Sequence, residues 1–308
     1  MGTSSRHDGP LSPVDRALLD ALIEDGRATF TAVGERVQVS GTTVRRRVSE
    51  FERCGIIRGY TVLIDPAALG LPTAALFSIK LRSGAPTEPS IGEKLYSLPE
   101  ISASYTLSGD RPHVAVGRYI CPDAAKAAAD RLEENLCARI RLDFVLETRF
   151  GDRIWSAATP VEQPLRDIDR FLLDILMTDG RAQFETLARK MNVSTSTAHK
   201  RLRALEDRGV IRGYTTLVDP AALGLPVTAV FTIQSHSDAP TDPSISERLR
   251  GFPEIRACYT LSGRRPAVAI GGYPDIAAAH ATADRLRDEL HTTVGIDFVL
   301  ATDFHRRR

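Results

Sequence analysis

An internal duplication constrains the fold of this chain more than any other feature of its sequence. The tripeptide Gly-Tyr-Thr at residues 59–61 recurs at residues 213–215, and the octapeptide at residues 65–72 recurs intact at residues 219–226. The offset of 154 residues holds without a gap from Asp15 onward. Because this period is far too long for a solenoid repeat, the sequence predicts two consecutive copies of one compact module.

Composition narrows the class of protein further. The chain has 308 residues, and its 43% hydrophobic and 26% charged residues are typical of a globular protein with several small domains. No apolar run reaches the length of a membrane span, and residues 1–10 lack the apolar core of a secretory signal, so we predict a cytoplasmic protein. The four cysteines show neither CxxC pairing nor metal-ligand spacing, which predicts reduced thiols and no metal site.

Each copy begins with three predicted helices and a strand. In the first copy Ser12 caps a helix that Gly26 ends, and a shorter helix and a strongly basic helix follow. Alternating β-branched residues then predict the strand. Three helices with an appended ribbon predict a winged helix-turn-helix domain at residues 12–64 and again at residues 167–218.

The basic third helix of each copy carries the residues for which we predict DNA contact. At residues 39–51 Ser40 is a good N-cap, and apolar residues fall on one side of the helix. Thr42, Arg46 and Ser49 fall on the opposite side, and the second copy repeats the pattern. A short helix that buries one stripe and presents threonine and arginine outward fits a DNA major groove.

The predicted DNA-contacting residues lie at the caps, outer faces and flanks of these two helices. They are Ser40, Thr42, Thr43, Arg45, Arg46, Arg47, Ser49, Ser194, Ser196, Thr197, His199, Lys200, Arg201 and Arg203. Arg47 and Arg201 sit beside the apolar stripe, so pairing within the domain is an equally good interpretation of both. The outer faces of the two helices differ in sequence, which predicts a DNA site with two unequal half-sites.

From residue 73 the pattern changes to strands mixed with helices. The predicted order is βαββαβ, the ferredoxin-like arrangement, at residues 73–149 and 227–304, so the fold class is α+β. Helices cover one face of such a sheet, and we expect the second copy to be available for the other face. Residues 1–11 are predicted to be a disordered tail and residues 150–166 a linker.

The chain resembles two fused Lrp/AsnC transcription regulators. In the first copy the matching segments are residues 15–19, 25–27, 39–40, 47–48 and 55–60. The resemblance implies binding of double-stranded DNA as dimers, often assembled further, with self-association largely through the βαββαβ sensing domains. It also implies that a small-molecule effector, such as an amino acid, tunes the assembly.

The resemblance places the effector near one turn of each sensing domain. The candidate residues are Ser108, Gly109, Asp110, Arg111, Ser262, Gly263, Arg264 and Arg265. Family members usually carry a Gly-x-aromatic-Asp turn here, whereas this chain has arginine and then proline at the last two positions. Proline cannot pair with the ammonium group of an amino acid, which argues against amino-acid sensing. Arg111 and Arg265 are able to hold a carboxylate or phosphate group, although turn arginines in water are the simpler interpretation.

Two other functions stay open at the level of the sequence. Some proteins that resemble this family are siroheme decarboxylases, and such an enzyme requires histidines and arginines along the βαββαβ cleft, where His113 is the only histidine well placed. A metabolite-binding assembly module without DNA binding is the other alternative. The chain has no Gly-x-Ser-x-Gly, His-Glu-x-x-His or phosphate-loop motif, so we predict no enzyme and no cofactor.

Overall fold

Equivalent parts of the two copies lie in the same structural unit. The computed structural model describes residues 11–82, 90–150, 164–234, 247–262 and 267–305. The chain divides into a helical unit, Met1–Asp65 with Gln163–Pro226, and a barrel unit, Pro66–Glu162 with Val227–Arg306. The predicted tail and linker fall almost entirely outside the described residues.

The helices and strands of the first copy recur in the second in the same order, apart from α4, whose equivalent positions are only partly described. The first copy contains α1 (Pro13–Glu24), α2 (Phe30–Val37), α3 (Gly41–Arg53), β1 (Ile57–Ile64), β2 (Thr73–Leu81), α4 (Ser90–Tyr96), β3 (Ile101–Leu107), β4 (His113–Tyr119), α5 (Pro122–Leu136) and β5 (Ala138–Phe150). The second contains α6 (Asp167–Thr178), α7 (Phe184–Met191), α8 (Thr195–Asp207), β6 (Ile211–Val218), β7 (Val227–Gln234), β8 (Ile255–Leu261), β9 (Ala267–Tyr273), α9 (Ile276–Leu290) and β10 (Thr293–His305). The predicted α+β fold is confirmed.

The three helices of each helix-turn-helix pack around an apolar core. In the first copy Leu18, Leu22, Val44 and Phe51 are at most 1% exposed. Leu223 of the second copy packs against the same core. Because these side chains are buried, the apolar stripe of α3 faces the core and its basic side faces outward.

The ribbon next to each helix-turn-helix takes one strand from each copy. Strands β1 and β6 pair antiparallel, with Tyr60 opposite Thr216 and Val62 opposite Tyr214. The sequence predicts the strands but not their partners. Because a lone strand leaves its backbone groups unpaired, the two helix-turn-helix copies depend on each other for this sheet.

Gly26 and Gly180 bring the ends of α1 and α6 into close contact with the ribbon. Their N–H groups donate to the carbonyl oxygens of Tyr214 and Tyr60, each at 2.9 Å. A Cβ on Gly26 would lie 2.6 Å from the carbonyl carbon of Thr215, and the space at Gly180 is equally filled by the backbone of the other strand. Only glycine permits this approach, since backbone atoms cannot move aside as the end of a flexible side chain can.

The eight strands of the barrel unit form one closed barrel. Their order is β10-β3-β4-β2-β5-β8-β9-β7, so each copy keeps its four strands together. The copies join where β5 pairs with β8 and β10 pairs with β3. The sequence predicts only that the second copy is available to the free face of the first sheet. The structure joins the sheet edges as well, so each of the eight described barrel strands has a neighbour on both sides.

Apolar side chains fill both sides of each sheet. Inside the barrel, Leu76 and Val145 of the first copy pack against Tyr259 and Leu261 of the second. Outside, α5 and α9 cover the sheet of their own copy. No helix in the described part of the chain is long and apolar enough to cross a membrane.

We expect Gly26→Ala to destabilise the helical unit by about 1–3 kcal/mol, because its methyl group overlaps the backbone of β6. Gly295→Ala is the matched control, since a Cβ there meets Thr232 only at ordinary contact distances of 3.8 and 3.9 Å. Urea unfolding followed by circular dichroism measures both. Equal stability of the two variants would contradict a required close approach at Gly26.

Candidate nucleic-acid interface

Serine and threonine hydroxyl groups cap the N-termini of α3 and α8 through the same set of hydrogen bonds. The Oγ of Ser40 accepts the backbone N–H of Thr43 at 3.1 Å and lies 2.8 Å from the hydroxyls of both Thr42 and Thr43. In α8, Ser194 makes the equivalent set of hydrogen bonds. The cap therefore fixes the first turn of each helix and orients its exposed hydroxyl groups.

Each of these helices presents an exposed face that carries cations. The side of α3 opposite the core and its flank expose four of the predicted residues, and so does α8. These residues are Thr42, Arg45, Arg46 and Ser49 on α3, and Ser196, His199, Lys200 and Arg203 on α8. Thr43 and Thr197 are half-buried beside the caps.

Arg47 and Arg201 each pair with an aspartate of their own domain. The Nη1 of Arg47 lies 3.4 Å from Asp15 Oδ2, and that of Arg201 lies 2.9 Å from Asp169 Oδ1. The side chains of the two aspartates are only 4% and 8% exposed. A buried carboxylate needs a cationic partner, so both arginines tie their helix to the first helix of the same copy.

Aromatic rings of α2 and α7 support one outward residue on each basic helix. The guanidinium of Arg45 lies 5.8 Å from the ring centroid of Phe30. The ring of His199 stacks on Phe184 with centroids 3.6 Å apart and an interplanar angle of 13°. These contacts hold the two side chains on the exposed flank of their helices.

Arg27 and Arg181, for which the sequence predicts no role, clasp the two copies together. Arg27 donates from Nε to Gly180 O at 2.7 Å and from Nη2 to Ala182 O at 3.0 Å. Arg181 reaches back in the same way to the carbonyl oxygens of residues 26 and 28. The signal in the sequence was the recurring tripeptide Asp-Gly-Arg, whose partners lie in the opposite copy.

Each clasp arginine also faces two aromatic rings of the opposite copy. The Cζ of Arg27 lies 4.6 Å from the centroid of Tyr214 and 5.6 Å from that of Phe184. Arg181 faces the equivalent pair at 4.6 and 4.9 Å. Phe184 also stacks against His199. The same ring therefore contacts both Arg27 of the other copy and a residue on the exposed flank of α8.

Two tyrosines, the half-buried Tyr60 and the buried Tyr214, connect the clasp to the basic helices. Tyr60 donates its hydroxyl proton to Glu52 Oε1, and Tyr214 to Glu206 Oε1, both at 2.7 Å. Burial first, and then the glutamate, raises the pKa of both tyrosines well above its usual value. Burial likewise lowers the pKa of the Arg181 guanidinium.

The predicted effector turn of the first copy lies where the two halves of the barrel meet. Ser108 donates its N–H to Phe298 O at 3.0 Å and accepts the Phe298 N–H at its Oγ at 2.9 Å. Gly109 packs against the Asp297 carboxylate, so a side chain at this position would require Asp297 to move. The turn is therefore part of the seam between β3 and β10.

The charged residues of this turn have partners on β2. Asp110 lies 3.6 Å from Lys80 Nζ, and Arg111 donates to Ser78 O at 3.2 Å. In the second copy Ser262 bonds to Phe144 as Ser108 does to Phe298. Gly263, Arg264 and Arg265 lie outside the described residues.

The histidine that the sequence places beside the βαββαβ cleft is buried and lacks a counterpart in the second copy. His113 is 4% exposed, and the equivalent residue of the second copy is Ala267. No group of three or more histidine, cysteine, aspartate or glutamate side chains suited to a metal ion occurs within the described ranges. All four cysteines are free thiols.

Comparisons with known proteins identify the family. The AsnC-type helix-turn-helix domain matches residues 11–52 and residues 165–206. The chain is 34% identical over 140 residues to the transcriptional regulator LrpA of Mycobacterium tuberculosis, covering 44% of this chain and 87% of that protein. The chain belongs to the Lrp/AsnC family. It is also 38% identical over 100 residues to the regulator AldR of Mycolicibacterium smegmatis, covering 32% of this chain and 58% of AldR.

A solved structure shares the fold of this Lrp/AsnC chain over both copies. The siroheme decarboxylase NirDL superposes with a TM-score of 0.68, covering 95% of this chain and 93% of that one. The two sequences are only 15% identical, so the likeness shows the fold alone. The relatives that match by sequence are transcription regulators. This chain is therefore a transcription regulator of the Lrp/AsnC type.

We expect Arg181→Lys to lower the stability of the helical unit by about 1–3 kcal/mol, because lysine cannot reproduce the two hydrogen bonds and the ring contacts of the guanidinium. Arg170→Lys, at an exposed position of α6, is the control. Thermal unfolding compares the variants. Unchanged melting temperatures in both variants would contradict a stabilising role for the Arg181 contacts.

Proposed function

We propose that this Lrp/AsnC chain binds double-stranded DNA sequence-specifically through α3 and α8, and that one chain supplies both halves of the usual dimer. The observation that carries the proposal is the fixed pairing of the two helices. Both have hydroxyl caps and exposed basic faces, and both belong to one unit joined by the β1–β6 ribbon and the arginine clasp. Such a pair is suited to two major-groove half-sites about one helical turn, or a small multiple, apart.

The differences between the outward faces support two unequal half-sites. The equivalent positions hold Arg46 and Lys200, and Ser49 and Arg203. Arginine is able to grip guanine with two parallel hydrogen bonds, whereas lysine is a flexible point charge with a looser preference. A dimer of identical chains reads the same sequence twice, but these two helices carry different side chains to the bases.

Arg46→Ala and Lys200→Ala test both parts of this proposal. Each should weaken binding to the preferred site by about 1–3 kcal/mol if its side chain reads a base, and each should relax selectivity in a different half-site. Binding-site selection from random duplexes followed by titration of the selected site measures this. Arg139→Ala, at an exposed position of the barrel unit, is the control.

Three results are informative. A selected site that is a perfect palindrome contacted equally by both helices would contradict the unequal half-sites. Failure of the wild-type chain to bind any DNA would contradict the function and favour an assembly module. Unchanged binding by both variants at all salt concentrations would exclude these two side chains from the interface.

We also propose that an effector binds at the turn of residues 108–111 and acts on the barrel seam. The hydrogen bonds between Ser108 and Phe298 support this, because a ligand at the turn touches both copies. Arg111 is the group suited to an anionic ligand, since its guanidinium matches a carboxylate or phosphate.

We expect a carboxylate- or phosphate-bearing metabolite to raise the melting temperature of the wild-type chain and to leave the Arg111→Ala variant unchanged. A thermal-shift panel measures this, and light scattering with the same compounds shows whether the assembly changes. Arg131→Ala, at an exposed position of α5, is the control. Equal shifts for wild type and Arg111→Ala would remove Arg111 from the site.

A further inference from the structure

The exposed faces of α3 and α8 differ in one side chain whose charge depends on pH. Histidine changes its charge between pH 5 and 8, and His199 of α8 stands where α3 has Arg45, which is positive throughout this range. The other exposed cations, Arg46 on α3 and Lys200 and Arg203 on α8, are positive as well. Each exposed face therefore carries two permanent positive charges, and the faces differ in charge only by a proton on His199.

The ring of His199 is held on the flank of α8 and has no polar partner in the described part of the chain. It stacks on Phe184 with the two ring centroids 3.6 Å apart. Its two nitrogens make no hydrogen bond or ion pair with any residue that the structure describes. A neutral imidazole offers one donor and one acceptor, whereas a protonated one offers two donors and a positive charge. Protonation therefore turns this side chain into a group suited to a phosphate oxygen.

The charged residues near His199 include three cations. Lys200 follows it, Arg203 lies about one turn further along α8, and Arg27 of the other copy lies 5.6 Å from the centroid of the same phenylalanine ring on which His199 stacks. Glu185 on α7 makes no ion pair with His199 in the described residues. None of these groups neutralises a positive charge on the ring, whereas a DNA phosphate against α8 does. Because opposite charges favour the ionised form, DNA binding and protonation of His199 promote each other.

We propose that α8 binds its half-site through a proton-dependent contact, in which protonated His199 holds a phosphate of the DNA backbone, while α3 has no such contact. This inference rests on the proposed DNA binding by α8. The chain then binds DNA more tightly as the pH falls, because DNA favours the protonated state. As the pH rises, His199 loses its charge and Arg45 retains its own, so the change in affinity comes from the second half-site alone.

Substitutions at His199 test the proposal in the full chain. Affinity for the selected duplex is measured at about pH 6 and about pH 8 at constant ionic strength. We expect wild-type affinity to fall roughly 3- to 10-fold from the lower to the higher pH. His199→Arg should bind tightly at both pH values, and His199→Gln should bind weakly at both. His280→Gln is the matched control, because His280 is an exposed histidine of α9 with its ring centroid 5.5 Å from that of Phe298. It should keep the wild-type pH dependence.

Arg45→His is the reciprocal variant, and it places a histidine at the equivalent position of α3. It should bind almost as tightly as the wild type at about pH 6 and more weakly at about pH 8, so its pH dependence should exceed that of the wild type. Circular dichroism at both pH values checks that each variant is folded.

Two further measurements separate a phosphate contact from other effects of pH. One neutralised phosphate changes the slope of log K against log salt concentration by about 0.9, so the wild-type slope should be steeper by about this amount at the lower pH. His199→Arg should show the same slope at both pH values. Calorimetry near neutral pH, in two buffers with different ionisation enthalpies, should detect proton uptake when the wild type binds DNA. This uptake should be lost in both His199 variants.

The outcomes distinguish failure of this inference from failure of the proposed function. DNA binding with the same pH dependence in the wild type, His199→Arg and His199→Gln overturns the proton-dependent contact and leaves DNA binding by the helices intact. Wild-type affinity that does not change with pH has the same meaning. A pH-dependent affinity with equal salt slopes at both pH values overturns the phosphate as the group that His199 holds. Absence of DNA binding by the wild-type chain at both pH values overturns the proposed function itself.

Discussion

The shared ribbon of β1 and β6 is the constraint on which the helical unit depends. Each strand finds its hydrogen-bond partner only in the other copy, and each glycine that ends α1 or α6 fits only against the backbone of the opposite strand. The clasp arginines then bind the carbonyl oxygens that this approach brings near. The two basic helices are consequently held as a pair, and a fixed pair is what two half-sites on one face of a duplex require.

Because the two copies are fused in one chain, a substitution can change one half of this interface without changing the other. In a dimer of identical chains every change appears twice, once in each half. In this chain Arg45 rests on Phe30 while the equivalent His199 stacks on Phe184, so the same supporting position carries different chemistry in each copy. The duplication keeps the copies at high effective concentration, so the contacts between them need not be strong enough to assemble separate chains.

The sequence predicted features that depend on local spacing. The Ser40 cap and the apolar stripe of α3 follow from helical periodicity, and the duplication follows from identity at a constant offset. The partners of Arg27 lie 153 and 155 residues away, so their identity depends on how the copies pair, which no local pattern contains. The partner of β1 and the hydrogen bond between Ser108 and Phe298 also depend on how the copies pair, so the sequence did not predict them.

Not every basic residue of α3 and α8 is available to contact DNA. Arg47 and Arg201 pair with buried aspartates, so only Arg45 and Arg46 of the arginine triplet of α3 are both exposed and without such an ion pair to a buried aspartate. The formal net charge of the chain is only +1, and affinity for a polyanion depends on where the cations lie rather than on this sum. Cations concentrated at two helices on a nearly neutral chain favour a duplex that meets both helices at once over one that meets a single surface. In the proposed complex, the geometry of the pair therefore adds to specificity before any base is read.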